Sequence, residues 1–439
     1  MTKPRLSVIG TGYLGVTQAA CMADLGFDVV AVDVNAEKID RLAGGSLPFF
    51  EPGLAELVGK SLDSGRLRFT TSYDDIADSD VHFICVGTPQ QRDSNAADLS
   101  YVDSSLDSLL PRLRNPCVVV GKSTVPVGTA ERVAARITAE APAGADVELV
   151  WNPEFLREGW AIEDTLRPDR LVFGVTSSRG EQCMRSVFEP LIDAGVPVVI
   201  TDLATAQLVK VAANAFLATK ISFINAMAEV CEVVHGDVKK LSEALSYDSR
   251  IGGRFLHAGL GFGGGCLPKD IRAFMARADE LGVDQALSFL GEVDAINQRR
   301  RARMVDLALE SLDGNFRDCR VGVFGASFKP NSDDIRDSPA LDVASRIHDA
   351  GAEVIVYDPA ALDNARRMYP ALDYADSAVG AAHDADVLLH LTEWREFRDM
   401  DPAVLDDVVR RKNIVDGRNA LDPERWRSAG WHYRALGRP

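Results

Sequence analysis

The seven cysteines (Cys21, Cys85, Cys117, Cys183, Cys231, Cys266 and Cys319) include no CxxC pair, and their number is odd. That excludes a disulfide framework and a cysteine-based zinc cluster as organising devices, so no metal is expected and the thiols are read as reduced, one of them reactive. No uninterrupted apolar run reaches about 18 residues, the least a membrane-spanning helix requires. The opening Met1-Thr2-Lys3-Pro4-Arg5 leads into a strand pattern, without the basic segment, apolar stretch and small-residue cleavage site of a secretion signal. These absences predict a cytoplasmic protein with no membrane partner. Positive charge is scarce too: Lys and Arg number 48 against 65 Asp and Glu, a net charge of −17. Nucleic acid is therefore not an expected partner, because releasing counterions from phosphates needs clustered cations.

What is present is a long chain with a globular balance. Its 439 residues, 46% apolar and 26% charged, suffice for two or three domains and leave no case for disorder. Leu6-Ser7-Val8-Ile9-Gly10 reads as a buried strand; a glycine turn, a helix to about Leu25 and a strand over residues 28–33 complete a βαβ unit. Apolar runs at 81–86 and 117–120 end in the polar loops Gly87-Thr88-Pro89 and Gly121-Lys122-Ser123-Thr124. A parallel α/β sheet with ligand loops at strand C-termini is the architecture this predicts. Residues 202–234 contain neither glycine nor proline and carry Ala, Leu and Val at helical spacing, which predicts a long central helix; another helical stretch covers about 285–312. The runs at 320–325, 353–358 and 385–391 repeat the opening theme, so the two ends read as degenerate copies of one fold.

Gly10-Thr11-Gly12-Tyr13-Leu14-Gly15 has the spacing of a dinucleotide turn, and it follows a strand and opens a helix. The first glycine makes the tight turn, the second admits a pyrophosphate, the third packs the helix, and the helix N-terminus offers N–H groups to the anion. Asp33, ending the next strand, is placed to accept hydrogen bonds from ribose hydroxyls and to repel a 2′-phosphate, which favours NAD over NADP.

The segment Gly259-Leu260-Gly261-Phe262-Gly263-Gly264-Gly265-Cys266-Leu267-Pro268-Lys269-Asp270 holds five glycines in seven positions. Each costs backbone entropy, so the segment is read as a loop lying close against a ligand rather than as a product of packing. Pro268 fits the first turn of a new helix, which places the Cys266 sulfur near a helix N-terminus that favours thiolate. Lys210 and Asn214 stand four apart on the long helix, so they share a face and can aim donors at one oxygen gaining negative charge.

In order along the chain stand Gly10-x-Gly12-x-x-Gly15, Val86-Gly87-Thr88-Pro89, Ser123-Thr124-Val125-Pro126-Val127-Gly128 and Asn152-Pro153-Glu154-Phe155-Leu156-Arg157-Glu158-Gly159. Lys210 with Asn214, the Cys266 loop, Phe328-Lys329-Pro330 with Arg336, and Asp416-Gly417-Arg418 complete the series. With these eight motifs the chain resembles the UDP-glucose/GDP-mannose dehydrogenase family over nearly its whole length, and Arg250–Leu256 is closer to the UDP-glucose branch. The resemblance implies two Rossmann-like doubly wound domains joined by a long central helix. Residues 1–201 would bind NAD, 202–304 would form a central helical dimerisation domain with the catalytic cysteine loop, and 305–439 would bind the nucleotide sugar. A homodimer or higher homo-oligomer is implied.

The activity implied is a four-electron oxidation of a nucleotide-hexose C6 hydroxymethyl to the uronic acid, with UDP-glucose going to UDP-glucuronate as the favoured case. dTDP-glucose and GDP-mannose or another nucleotide sugar are the alternatives. Cys266 would hold the intermediate as a thiohemiacetal and then a thioester. By resemblance Lys210, Asn214, Glu158, Thr124 and Asp270 assist it, the last two by holding water; the base in each step stays unassigned. Cofactor contacts carried over are Gly10, Gly12, Tyr13, Leu14, Gly15, Asp33, Lys38, Val86, Gly87, Thr88, Pro89, Thr124, Glu158, Lys269 and Arg336. Substrate contacts carried over are Glu154, Phe155, Leu156, Arg157, Glu158, Lys210, Asn214, Phe255, His257, Gly259, Phe262, Gly263, Cys266, Phe328, Lys329 and Arg418, with Arg250 reaching substrate bound to the partner subunit. The family often has Gly-Gly-Ser-Cys or Gly-Tyr-Cys where this chain has Gly-Gly-Gly-Cys. Two other classes compete: a two-electron dehydrogenase of similar fold, which has no need of Cys266, and a nucleotide-sugar sensor that binds without turnover.

Overall fold

Short apolar segments bounded by glycine and polar loops give strands buried on both faces, as parallel sheets covered by helices require. In the computed structural model, which describes residues 3–439, fourteen strands form two sheets among the described residues. Met1 and Thr2, where the first domain was expected to begin, lie outside the described residues.

The first sheet contains β1 (Leu6–Ile9), β2 (Val29–Val32), β3 (Leu67–Thr70), β4 (Val81–Ile84), β5 (Cys117–Gly121), β6 (Val147–Trp151), β7 (Leu171–Gly174) and β8 (Val198–Thr201), in the order β3-β2-β1-β4-β5-β6-β7-β8. Its pairs are parallel except β6 with β7, which meet antiparallel at Trp151 and Gly174. The sequence pattern did not anticipate that reversal, since a run of apolar residues reads alike in either direction. Side chains alternate: Leu6, Val8, Phe83 and Phe173 enter one core, and Ile9, Ile84, Val119 and Trp151 the opposite one. This sheet belongs to a compact unit that ends at Ala213 and includes Asp279–Leu281.

The second unit comprises Asn214–Ala278 and Gly282–Pro439. Its sheet contains β9 (Arg320–Phe324), β10 (Glu353–Tyr357), β11 (Asp373–Tyr374), β12 (Val387–His390), β13 (Asn413–Asp416) and β14 (His432–Ala435), all parallel, in the order β11-β10-β9-β12-β13-β14. Six strands of each sheet thus follow the same order, third-second-first-fourth-fifth-sixth, which is that of a dinucleotide-binding Rossmann fold. The expected α/β class and its internal duplication are both present.

The long helix runs Leu203–Val234, within one residue of expectation. The stretch expected at 285–312 forms Asp284–Leu287 and Phe289–Ser311, with Ser288 itself in helical backbone between them. By length and mean composition alone Leu203–Val234 is apolar enough to cross a membrane, although Thr205, Gln207, Lys210 and Asn214 interrupt its apolar run. Its polar side chains have protein partners, however: Gln207 accepts from the Ala130 amide, Ser222 donates to the Val293 carbonyl and Asn225 accepts from the Gly259 amide, all buried. A helix that buries hydrogen-bonded polar side chains against its own chain behaves as a core helix.

Candidate active site

In the first unit, β1 is followed by Gly10, whose φ of +92° only glycine adopts readily, and the helix Tyr13–Asp24 starts two residues after the turn's Thr11. A Cβ on Gly15 would lie 1.8 Å from the Gly10 carbonyl oxygen, so that glycine is required by packing. A Cβ on Gly12 would meet nothing within 4 Å. One side of the turn is therefore clear, where the motif brings backbone against a pyrophosphate. Asp33 reaches back to the turn: its Oδ2 accepts from Thr11 N (2.8 Å), Thr11 Oγ1 (2.9 Å) and Lys38 Nζ (2.7 Å), and its Oδ1 from Asn35 N (3.0 Å). Burial pushes this carboxyl up, but the bonds from Lys38, Thr11 and Asn35 outweigh it and hold the group below the usual range. The open turn and the ionised acid fit NAD.

The loops after β4, β5 and β6 are tied together beside this turn. Thr88 Oγ1 donates to the Thr124 carbonyl (2.6 Å) and Ser123 Oγ to that of Val86 (2.7 Å). Lys122, buried over the Phe83 and Phe188 rings, donates to Asn152 Oδ1 (2.9 Å), and Asn152 in turn to the Val172 carbonyl (3.0 Å). That network fixes the start of the segment Asn152–Gly159. Within it Glu154 pairs with Lys210 Nζ (2.9 Å) and accepts the Leu156 amide (2.8 Å), the Phe155 ring lies under the Arg170 guanidinium at 3.7 Å, and Arg157 pairs with Asp164 at 2.6 Å. Glu154 and Glu158 lie on irregular backbone, so their spacing of four gives no shared helix face.

In the second unit Cys266 directly precedes the helix Leu267–Glu280, and its carbonyl accepts the Asp270 amide (2.9 Å). Of the seven cysteines, all among the described residues, Cys266 alone is exposed. A thiol at a helix start and open to solvent has the setting of a reactive one. Asp270 is 2% exposed and accepts from Asn214 Nδ2 (2.6 Å) and Lys269 Nζ (2.5 Å), which brings three expected site residues into one network.

The glycines before Cys266 correct an expectation. Packing does explain them: a Cβ on Gly261 would lie 2.2 Å from Asn297 Oδ1, one on Gly265 2.2 Å from the Arg336 guanidinium carbon, and Gly259, Gly263 and Gly264 are crowded by Gly417, Asp337 and the Phe328 ring. The loop is pressed against its own chain, and no ligand need be invoked for its composition. Asn225, Asn297 and Asn419 hold it through the Gly259 amide, both backbone groups of Phe262 and the Ala258 carbonyl. Arg418 donates to the carbonyls of Leu391 (2.7 Å), Gly261 (2.9 Å) and Phe328 (3.1 Å). Lys329 lies over the Phe328 ring at 5.3 Å, Arg336 pairs with Asp334 at 2.7 Å, and Arg250 is exposed beside Asp248. His257 is exposed, and Phe255 holds φ +65°, a strained value for an aromatic residue.

Three segments match the UDP-glucose/GDP-mannose dehydrogenase family: its NAD binding domain over residues 4–192, its central domain over 204–299 and its UDP binding domain over 322–423. The UDP-glucose 6-dehydrogenase of Rhizobium meliloti (strain 1021) is 44% identical over 438 residues, covering 99% of this chain and 100% of that protein. The chain belongs to the UDP-glucose/GDP-mannose dehydrogenase family. TuaD of Bacillus subtilis (strain 168), another UDP-glucose 6-dehydrogenase, is 39% identical, with 99% of this chain and 93% of TuaD covered. The structure of a UDP-glucose dehydrogenase from Pyrobaculum islandicum superposes with a TM-score of 0.91 at 37% identity, covering 100% of this chain and 98% of the other.

As a member of this dehydrogenase family the chain is an oxidoreductase with an NAD binding domain and a UDP binding domain. The first match spans the Gly10 turn, Asp33 and the Asn152–Gly159 segment; the last spans Lys329, Arg336 and Arg418. Residues that the sequence left unremarked are among those that hold these motifs: Glu51, Asn225 and Asn297. A lone amide inside an apolar helical stretch is the signal that marks Asn225, since a polar group there must find a buried partner, whereas Asn297, next to Gln298 and three arginines, carries no such mark.

Proposed function

We propose that this chain oxidises the C6 hydroxymethyl of UDP-glucose to the carboxylate of UDP-glucuronate, in two two-electron steps, with Cys266 as nucleophile. The observation that carries the reading is the exposed Cys266 at the start of its helix, linked through Asp270 to Asn214, in a chain 44% identical to a UDP-glucose 6-dehydrogenase. When bound, NAD supplies the hydride acceptor for both steps. The Cys266 thiolate adds to the C6 aldehyde, forming a C–S bond and a tetrahedral oxyanion, and the donors of Lys210 and Asn214 meet that charge. Loss of the second hydride leaves a thioester. Water held by Thr124 and Asp270 then cleaves the C–S bond, which returns the thiolate and leaves the carboxylate. Glu158 takes up a proton or orients that water. Lys38, Lys269 and Arg336 are assigned to cofactor and Lys329, Arg418 and Arg250 to substrate. The three-part division at 201/202 and 304/305 belongs to the same proposal, and the three family matches support it.

A homodimer is part of the reading. Phe216, Phe223 and Val230 recur every seven residues on the long helix and are exposed, with Val233 and Val234 beyond them. An apolar stripe of that period suits a second copy of the helix. A thiol that must stay reduced also favours the cytoplasm. The deciding assay is the NADH yield per sugar with UDP-glucose, dTDP-glucose and GDP-mannose in parallel. Two NADH per UDP-glucose are expected, and Cys266→Ser should bind substrate yet make no uronic acid. One NADH, or tight binding without turnover, would sink the reading, and a preference for another nucleotide would replace its substrate.

A further inference from the structure

Glu51 is a buried acid, 4% exposed, on the segment that leads into the helix Leu54–Asp63. Its Oε2 accepts the Tyr13 hydroxyl and the Gly159 amide (2.6 Å), and its Oε1 accepts the Ala161 amide (2.8 Å). The Gly159 amide also lies 3.1 Å from the Tyr13 oxygen. Tyr13 opens the helix of the dinucleotide turn, and Gly159 follows Glu158 at φ +79°. Ala161 begins the helix Ala161–Leu166, whose N-cap residue Trp160 offers no capping hydrogen bond. One carboxylate therefore joins the cofactor turn to both amides that flank Trp160.

We propose that Glu51, with Tyr13, is a positioning residue that fixes Glu158 relative to the dinucleotide turn. The physical argument is one of alternatives. A segment of irregular backbone has no ladder to hold it, and a left-handed glycine invites it to move. Two amides bonded to one buried carboxylate remove that freedom, because either would be left without an acceptor in a dry interior if the segment shifted. Burial and the Glu51 carboxylate hold the Tyr13 phenol protonated, so it stays a donor across the working pH range. An acid that exchanges a proton or orients water needs placement to a fraction of an ångström, and rigid support is what provides it.

The proposal rests on the role given above to Glu158, so the experiment is a double-mutant cycle that tests the two separately. Glu51→Gln keeps the shape but replaces an acceptor by a donor. It should lower kcat about tenfold or more, with the KM values for NAD and UDP-glucose within about threefold. Tyr13→Phe, a milder change that keeps both amide acceptors, should lower kcat about threefold and serves if Glu51→Gln does not fold. In a Glu158→Gln background, either change should alter kcat less than about twofold, because there is no longer a group to position. Trp160, the one exposed tryptophan of the five, gives a local optical readout: acrylamide should quench it more readily in Glu51→Gln. Equal kcat losses in both backgrounds would overturn the brace while leaving Glu158 its role. A Glu158→Gln variant with unchanged kcat would overturn both.

Discussion

After β1 the chain turns on Gly10 at φ +92°, and after β9 it turns on Gly325 at φ +113°. In both sheets an acid following the neighbouring strand reaches back to amides of that turn, Asp33 in one and Asp358 in the other. Asp358 is 1% exposed and takes six donors: Ala326 N, Ser327 N, Ser327 Oγ and Trp394 Nε1 on Oδ2, Ala360 N and Ala361 N on Oδ1. A carboxylate offers about two lone-pair directions on each oxygen, and both oxygens of this one are filled, so it has no acceptor capacity left for a ligand. The Oδ1 of Asp33 takes the Asn35 amide and retains room for a ribose hydroxyl. The acid in this position is first a staple for the turn. Only the copy with spare acceptor capacity and an open glycine, Gly12, is equipped to read a ribose and a pyrophosphate.

The comparison predicts that the two acids fail differently. Asp358→Ala leaves buried donors without an acceptor and should destabilise its unit by about 4 kcal/mol. Hydrogen exchange of peptides from β9 and β10 checks this. Asp33→Ala, which is closer to solvent and leaves fewer buried donors without an acceptor, should cost β1 and β2 about 1 kcal/mol. Equal losses would end the distinction between staple and reader.

A second contrast lies on the matching strands β4 and β12, each of which buries a histidine. His82 bonds Ser7 Oγ through Nδ1 (2.8 Å), while His390 faces the Asp416 carboxylate (2.9 Å). Burial, partly offset by Asp80 and the Ser79 backbone, pulls the His82 imidazolium down to about 4. The unfolded chain therefore binds the proton more readily. The stabilisation from neutral His82 is complete above pH about 6.5 and is lost as pH falls toward the folded value, about 2 kcal/mol by pH about 5. Asp416 goes the opposite way. Burial raises its carboxyl, but His390 and the Leu421 and Arg418 amides hold it below the usual range, so its contribution is kept at pH 5 and lost only in stronger acid. Protection factors in β1 and β4, exchange rates corrected for the slower intrinsic exchange in acid, should fall between pH about 6.5 and about 5, and His82→Gln should abolish that. An equal fall in β9 and β12 would contradict the assignment.

For the cofactor itself, Asp33→Ala should raise the NAD KM about tenfold, near 1.4 kcal/mol, and relax discrimination against NADP. Steady-state kinetics with both cofactors measure it. An unaltered NAD KM would remove Asp33 from the ribose.

How much of this was legible depends on the range of each signal. The strand runs, the Gly10 turn, the long helix and the helix after Cys266 are written in neighbouring residues, through apolar periodicity, glycine spacing and Pro268. The glycine loop was legible as a loop but not for its cause, because Asn297, Arg336 and Gly417 press on it from far along the chain. Glu51 bonds partners 38 and 110 residues away, and no local pattern distinguishes it from a surface acid. Arg418 was read as a substrate contact. Its three backbone carbonyls show that it also clamps the loop on which the Cys266 segment depends, a duty that composition does not reveal.

The finest test of the reader's chemistry is its ion pair. Lys38 Nζ lies 2.7 Å from Asp33 Oδ2, and its side chain is only partly exposed. Asp33 keeps its bonds from Thr11 and Asn35 without this pair, so Lys38→Met should raise the NAD KM by about threefold at most. Its effect on selectivity is the informative part. Removing a cation beside the ribose leaves the Asp33 charge less compensated and makes the site more repellent to a 2′-phosphate, so the preference for NAD over NADP should sharpen while Asp33→Ala blunts it. Opposite shifts from the two members of one pair would show that charge at this position sets the choice of cofactor; shifts of the same sign would mean that Asp33 acts through the shape of the turn, as Asp358 does.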